Sequence, residues 1–173
     1  MRHGTLKHGI LSVVGHIRRV RRKKRRMVCL QTCEINQDYK HAQRDTQYGP
    51  VQGVDQGDSL VWYGIPYGAA PVGDLRWQAP QDPAAWSDVK DCTQVSPVAY
   101  QYSSGPIGTE DCLKLDVYTT PNAHKLPVLV FIHGGNNQTG NTKEILGSEL
   151  VVRDNCVFVT IDYRLGLFGF NCL

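Results

Sequence analysis

The sequence predicts an α/β domain, in which helices flank a sheet that contains parallel strands. Two apolar runs carry this prediction: "LPVLVFI" at residues 126–132 and "CVFVTIDYRLG" at residues 156–166. Neither run alternates with polar residues over its apolar part, which is typical of strands that are covered on both faces. The stretch between them, "KEILGSELVVRD", has a weak helical period, so a strand–helix–strand unit is expected.

Shorter strands precede this unit. The segments "QYGPVQGV" and "SLVWYGIPYG" flank an Asp55-Gln56-Gly57-Asp58 turn, which is typical of a β-hairpin. The segment "LKLDVYTT" alternates apolar and polar residues and predicts a strand with one buried face. Between them, the proline- and glycine-rich "GAAPVGDLRWQAPQDPAAW" predicts an ordered surface loop, pinned by Trp77 and Trp86.

Charge is divided unevenly along the chain. Residues 1–26 hold ten of the 19 lysines and arginines and none of the 16 acids, so residues 27–173 carry nine basic groups against 16 acids. Eight of the nine residues from Arg18 to Arg26 are basic. Residues 1–45 are therefore expected to form a basic, disordered arm, and residues 46–173 the folded domain.

Three interpretations of the basic arm are open: a phosphate-binding segment, a solvated tail, or the product of a start codon assigned too early. A phosphate-binding arm would bind nucleic acid in a salt-sensitive way. However, no aromatic side chain interleaves with the charges from Arg18 to Arg26 to stack on bases. Nucleic acid is therefore not an expected partner.

The sequence predicts no targeting segment and no metal site. Every apolar stretch falls short of the ~18 residues that a membrane span needs. The segment "GILSVVGHI" is followed by basic residues rather than by a small-residue cleavage site. The chain is therefore expected to be cytoplasmic and to make no membrane contact. The six cysteines form no CxxC metal pattern and are too sparse for a disulfide scaffold, and neither a metal nor an organic cofactor is expected.

The end of the first apolar run carries the candidate chemistry. In "LPVLVFIHGGNNQTG", residues 126–140, a predicted strand is followed at once by His133, two glycines and two asparagines. A loop of bare backbone at the carboxyl end of a strand can point its N–H groups into a cleft. Such donors stabilise the oxyanion of a tetrahedral intermediate, and losing one typically costs about 10²–10³ in rate. These residues alone are equally consistent with a plain glycine-bearing turn.

Four segments together carry a more specific signal. "WYGIPYGAAPVGDLRWQAPQDPAAW", "GTEDCLKLDVYTT", "LPVLVFIHGG" and "TIDYRLGLFGF" occur in this order. They resemble the amino-terminal portion of the type-B carboxylesterases, the family that includes cholinesterases and bacterial para-nitrobenzyl esterases, over about residues 46–170. The resemblance implies the amino-terminal part of an α/β-hydrolase fold, a mixed sheet flanked by helices. It also implies hydrolysis of small-molecule carboxylic esters through a serine acyl-enzyme.

The resemblance assigns the loop after the first apolar run a catalytic role. Gly134, Gly135 and Asn136 occupy the family's three-glycine turn, whose backbone amides form the oxyanion hole. Asn136 stands where the third glycine is usual, and asparagine tolerates left-handed backbone better than other residues with a side chain. The amide of Asn136 is therefore still expected to donate.

Other positions match residues with structural roles in the family. Arg76 and Glu110 match a pair that forms a structural salt bridge. Cys112 matches a half-cystine of the secreted animal members, and the position of its partner falls on Tyr100, so that disulfide is not expected.

The family's nucleophile lies in a G-x-S-x-G turn between a strand and a helix, and an acid and a histidine follow it. That pentapeptide does not occur in the sequence, and His133 belongs to the loop rather than to the triad. The chain is therefore expected to be a fragment truncated before the nucleophile, which supplies the oxyanion-hole loop and is inactive alone. Two alternatives remain: a non-catalytic binding protein with the same fold, and a truncated gene product without a function of its own.

Overall fold

The structure is a computed structural model that describes residues 39–170. In chain order the strands are β1 (Gln43–Asp45), β2 (Pro50–Gln52), β3 (Val54–Asp55), β4 (Leu60–Pro66), β5 (Lys90–Asp91), β6 (Gln101–Tyr102), β7 (Pro106–Ile107), β8 (Lys114–Thr119), β9 (Val128–Ile132) and β10 (Val157–Ile161). The helices are α1 (Gly147–Asp154) and α2 (Gly166–Gly169), and 3-10 turns span Tyr39–Ala42, Gly73–Leu75 and Thr142–Glu144.

A mixed five-stranded sheet forms the centre of the described region, with the order β3-β4-β8-β10-β9. Its strands pair antiparallel except for β9 and β10, which are parallel. The predicted strand–helix–strand unit is therefore confirmed as β9, α1 and β10. Two smaller sheets, β1-β2-β5 and β6-β7, lie in the connections.

The predicted hairpin is confirmed with a different first strand. β3 and β4 pair antiparallel around the predicted turn, with Val54 opposite Val61. The residues just before β3 form β2, which pairs with β1 and β5 instead. Gly53 separates the two strands, and a Cβ there would press on the indole of Trp62. The close approach of that indole therefore favours glycine where the chain passes from one sheet to the other.

Strand β8 is buried on both faces, so the prediction of a single buried face is wrong. Leu115 and Val117 belong to one apolar cluster, and Tyr118 on the opposite face belongs to a second. The polar neighbour Asp116 is buried as well, and its Oδ1 atom accepts a hydrogen bond of 2.8 Å from the amide of Gly64. A central strand with both faces covered can therefore contain a polar residue when a backbone donor bonds one of its oxygens.

Strand β9 is exposed, so the prediction that it is covered on both faces is wrong for the described residues. Among residues 39–170 it lies at one edge of the sheet and pairs only with β10. Leu129 is 50% exposed and Ile132 is 61% exposed. An uncharged apolar edge strand offers unpaired backbone groups to any other chain. The apolar side chains of this strand are suited to burial on both faces, and the described residues do not cover them.

The sheet has an apolar core on each face. Helix α1 covers one face through Val151, which packs with Phe158 and Tyr118. The other face packs on the small β1-β2-β5 sheet, where Val51 is buried and the Trp62 indole donates to the Ala42 carbonyl at 2.8 Å. Among residues 39–170, no helix has the length and apolar character needed to cross a membrane.

The predicted boundary between arm and domain, at residues 45 and 46, separates two strands that pair in one sheet. Residues 39–45, which the sequence prediction assigned to the basic arm, form a 3-10 turn and strand β1, and β1 pairs with β2. The basic run from Arg18 to Arg26 lies outside the described residues.

The predicted surface loop is held by its two tryptophans. The Trp86 indole donates to the Pro50 carbonyl at 2.8 Å, and the Trp77 indole donates to the Leu167 carbonyl at 2.9 Å. The second bond links this loop to α2, although the Trp77 side chain is largely exposed.

Candidate active site

The parallel strands β9 and β10 end next to each other at the same edge of the sheet. Ile132 and Ile161 are register partners, so His133 and Asp162, which follow them directly, lie side by side. The loop that leaves β9 at this point spans residues 134–140 and is called the β9 loop below. Because the carboxyl ends of parallel strands share one edge of a sheet, this edge is the expected position of a ligand site.

The β9 loop presents unpaired backbone donors. The N–H groups of Gly134, Gly135 and Asn136 donate to no acceptor among residues 39–170, and all three residues are exposed. The amide of Asn137 likewise has no acceptor among these residues, whereas those of Gln138 and Thr139 both donate to the Gly135 carbonyl, at 3.0 and 3.1 Å. Of the described acceptors, none bonds the amides of residues 134–137, which are therefore available, whereas the amides of Gln138 and Thr139 are satisfied within the loop.

Left-handed backbone gives the β9 loop its shape. Gly135, Asn136 and Asn137 have φ values of 102°, 55° and 59°. A Cβ atom at Gly135 would overlap the Thr139 carbonyl oxygen, so this position accepts only glycine without a shift of the loop. The two asparagines adopt the conformation that asparagine tolerates best among residues with a side chain.

Residues distant in sequence hold the β9 loop at two points. The carbonyl of Asn137 accepts a hydrogen bond of 2.7 Å from the amide of Gly166, at the start of α2. The side chain of Gln101 bonds the backbone of Gly140, where the loop ends. These contacts join β6, the β9 loop and α2 around one site.

A buried polar cluster lies beneath the β9 loop. The Nε2 atom of His133 is 3.7 Å from Oδ1 of Asp162, and its Nδ1 atom is 2.9 Å from the Gly134 carbonyl. The His133 ring stacks on Tyr163 at 4.4 Å, and the Tyr163 hydroxyl donates to the His133 carbonyl at 2.7 Å. Asp162 accepts from the amide of Thr142 at 3.1 Å. The base of the loop is thus fixed by packing and by hydrogen bonds.

The carboxyl groups of this cluster resist ionisation. Burial raises the pKa of Asp162 to about 6, with the nearby Asp116 carboxyl adding to the effect and His133 opposing it. Burial also raises the pKa of Asp116. Two carboxyl groups in one poorly solvated site disfavour a second negative charge. The part of the chain that the structure describes holds no group of three His, Cys, Asp or Glu residues that could bind a metal ion.

An open cavity of about 630 Å³ adjoins the β9 loop. Asn136 and Asn137 form one wall, and Tyr100, Leu165 and Phe168 contribute an apolar wall. The Tyr100 and Phe168 rings meet edge to face at 5.2 Å. The cavity therefore combines an apolar surface with the part of the loop that contains Asn136 and Asn137, next to Gly134 and Gly135 in the chain.

A comparison with protein-family models decides the relationship of this chain to known proteins. The model of the carboxylesterase family matches residues 40–173. The chain belongs to the carboxylesterase family. The match begins just before β1 and includes the whole described sheet.

Curated relatives of this carboxylesterase chain come from distant organisms. The para-nitrobenzyl esterase of Bacillus subtilis (strain 168) is 40% identical over 136 residues, which are 72% of this chain and 28% of the relative. The medium-chain fatty acyl-CoA hydrolase precursor of Anas platyrhynchos is 38% identical, over 72% of this chain and 27% of the relative. Esterase B1 of Culex pipiens is 37% identical, over 73% and 26%. The chain therefore spans little more than a quarter of each relative.

Solved structures give the same result for the fold. A PNB esterase superposes with a TM-score of 0.73 at 41% identity, covering 77% of this chain and 29% of that one. A thermophilic PNB esterase gives a TM-score of 0.71 at 40% identity. The described residues are therefore part of an α/β-hydrolase fold, as the sequence predicted.

The remaining predicted carboxylesterase residues lie near the same site. Arg76 and Glu110 form a two-point ion pair, with Nε–Oε2 and Nη2–Oε1 distances of 2.6 and 2.8 Å. The Arg76 guanidinium also lies over the rings of Trp77 and Phe168, at 5.6 Å from each centroid. The ion pair therefore contacts the cavity wall through the ring of Phe168. Cys112 is a buried free thiol.

Sequence reasoning missed Gln101 and Asp162, which anchor the β9 loop. A signal for Asp162 was present, since it directly follows a predicted strand parallel to β9. The sequence carries no comparable signal for Gln101, which lies 39 residues before its partner Gly140.

Proposed function

We propose that this chain supplies the oxyanion hole of a carboxylic-ester hydrolase that acts on small-molecule esters. The observation that carries the proposal is a run of backbone donors at the carboxyl end of β9 that are unpaired among the described residues, which includes those of Gly134, Gly135 and Asn136. Membership of the carboxylesterase family supports the reaction class.

In the proposed reaction, a serine attacks the carbonyl carbon of the ester and the carbonyl oxygen becomes an oxyanion. Donors that are fixed before the reaction stabilise this charge without reorganising during it. The amides of Gly135 and Asn136 fill this role, and the apolar wall of the adjoining cavity accommodates a substrate group. Departure of the alcohol leaves an acyl-enzyme, which water hydrolyses. Since the sequence has no G-x-S-x-G turn, the nucleophile comes from outside these 173 residues, and the chain alone is expected to be inactive.

A chimera tests this function. Residues 40–170 of this chain replace the matching segment of the Bacillus subtilis para-nitrobenzyl esterase, and hydrolysis of p-nitrophenyl acetate is measured. The chimera is expected to hydrolyse the ester, and Gly135→Ala is expected to lower kcat by about 10²-fold or more because the added Cβ displaces the loop. Gly57→Ala is the matched control, since Gly57 is a left-handed glycine in a distant turn with open space around it.

Two results would overturn the proposal. One is a folded chimera that binds the ester and does not hydrolyse it. The other is a Gly135→Ala variant that is as active as Gly57→Ala. The first result would favour the alternative that the sequence left open, a non-catalytic binding protein of the same fold.

The cytoplasmic location and the lack of nucleic-acid binding by the basic arm remain predictions. Fractionation of the expressing cells tests the first, and a salt-dependent mobility-shift assay on residues 1–45 tests the second.

A further inference from the structure

The carboxamide of Gln101 holds both backbone groups of Gly140. Its Oε1 atom accepts from the Gly140 amide at 3.0 Å, and its Nε2 atom donates to the Gly140 carbonyl at 2.9 Å. Nε2 also donates to the Ala99 carbonyl at 3.0 Å. The reversed orientation of the amide would set its oxygen against two carbonyl oxygens. The hydrogen bonds therefore identify the positions of Oε1 and Nε2. Gln101 is only 7% exposed; its bond to Ala99 is buried, and its two bonds to Gly140 are partly buried.

Gly140 transmits this contact to the start of the β9 loop. Its φ is 120°, and a Cβ atom there would overlap the His133 ring and press on the Gly134 carbonyl oxygen. Residue 140 is therefore packed directly against the first residues of the loop. A shift of Gly140 away from Gln101 would move the segment on which the unpaired donors depend.

The β9 loop has few bonds of its own with which to resist such a shift. Within residues 134–140, only the amides of Gln138 and Thr139 donate to another loop residue, and both use the Gly135 carbonyl. Residues 134–138 are exposed, so burial contributes little to holding them. Contacts from outside the loop must therefore fix its geometry. Among residues 39–170, Gln101 is the only residue outside the loop whose side chain bonds two backbone atoms of the loop.

We propose that Gln101 is a positioning residue, which holds the β9 loop in the shape that presents the amides of Gly135 and Asn136. Gln101 also contributes to the lining of the adjoining cavity, but the proposed role is exerted through Gly140. The catalytic part of this inference rests on the proposed function. The bonding of Gly140 by Gln101, called the clamp below, can be tested without any ester.

Hydrogen–deuterium exchange of the full 173-residue chain at low micromolar concentration tests the clamp. The readout is the exchange rate of the bonded amides of Gln138, Thr139 and Gly140, compared with amides in β8 and β10. In Gln101→Leu, all three loop amides are expected to exchange at least tenfold faster while β8 and β10 stay unchanged. Gln94→Leu is the matched control, because Gln94 is an exposed glutamine whose side-chain bond goes only to Thr93, and it should change neither region.

A second variant covers the case in which Gln101→Leu also loosens the sheet. Gln101→Glu keeps the acceptor for the Gly140 amide but, when ionised, loses the donor to the Gly140 and Ala99 carbonyls. The proposal then requires faster exchange at Gln138 and Thr139 in this variant with β8 and β10 unchanged.

Several outcomes would overturn the clamp. They are fast exchange of the three amides in the unsubstituted chain, acceleration confined to Gly140, or equal acceleration of loop and sheet in both variants. A chain that passes this test while the chimera is inactive would keep the clamp and lose the proposed function. The two failures are therefore distinguishable.

Discussion

The Nε2 atom of His133 lies 3.7 Å from Oδ1 of Asp162, and both side chains are buried at the end of two parallel strands. Neither the Nε2 atom of His133 nor the Oδ2 atom of nearby Asp116 has a hydrogen-bond partner among the described residues. The β9 loop therefore starts above a polar cluster that is closely packed and incompletely satisfied. Such a cluster is sensitive to the protonation state of its members.

This cluster predicts a pH-dependent stability. The folded-state pKa of Asp162, about 6, lies above its ordinary value of 3.8, so the folded chain binds the proton more tightly than the unfolded chain. Its contribution is fully present below about pH 4 and is lost as the pH rises through about 6. At about 1.4 kcal/mol for each pKa unit, the loss is about 3 kcal/mol at most. The groups that face Asp162 are Asp116, His133, Thr142 and Lys143.

Asp162→Asn removes this titration and keeps the acceptor for the Thr142 amide. Urea unfolding at pH 4, 5, 6 and 7 is expected to show a smaller fall in the free energy of unfolding for Asp162→Asn than for the unsubstituted chain. Asp154→Asn, at an exposed pair with Arg153, is the control. Parallel pH profiles for the unsubstituted chain and Asp162→Asn would contradict the prediction.

The third position of the oxyanion turn acts through its backbone. In the chimera, Asn136→Gly is expected to retain hydrolysis of p-nitrophenyl acetate within about threefold, because glycine adopts the φ of 55° without strain. Asn136→Val is expected to lose at least about tenfold in kcat, since a β-branched residue is an outlier in that region. If Asn136→Gly lost as much activity as Asn136→Val, the side chain rather than the backbone would carry the role.

The two-point ion pair of Arg76 with Glu110 is expected to stabilise the cavity wall more than its partly exposed position suggests. Arg76→Lys cannot form both bonds, and it loses the planar group that lies over Trp77 and Phe168. We expect a melting temperature lower by about 2–4 °C. Arg153→Lys, in an exposed pair with its chain neighbour, is the control and should shift the melting temperature by less than about 1 °C. Equal shifts would show that the pair contributes no more than ordinary surface charge.

The exposed edge strand β9 is expected to drive self-association of the 173-residue chain. Leu129→Lys places a charge on this edge and should raise the concentration at which association begins by about tenfold. Sedimentation velocity over a concentration series measures this. Leu146→Lys is the control, because Leu146 is 68% exposed but lies outside the edge strand. Association that responds equally to both substitutions would indicate general hydrophobic attraction instead.

The candidate site was predictable where its residues are contiguous. Gly134, Gly135 and Asn136 follow a strongly apolar strand, so local pattern and family resemblance were enough to select them. The anchor Gln101 was not predictable in this way. Gln101 contacts Gly140 only because the fold places β6 beside the end of the β9 loop. In the sequence, a glutamine that becomes buried cannot be distinguished from an exposed one.

By itself, the sequence determined the family, the α/β class, the strand–helix–strand unit and the position of the glycine-bearing loop. These depend on local composition and on the order of motifs, and both can be read directly from the sequence. Only the tertiary structure decided which strands are covered. The alternating strand β8 lies between two neighbours beneath α1 and is buried on both faces, whereas the wholly apolar β9 lies at an edge and is exposed. The reason is physical: side-chain pattern reports the polarity of each face of a strand, and burial depends on how many neighbours the fold places against it.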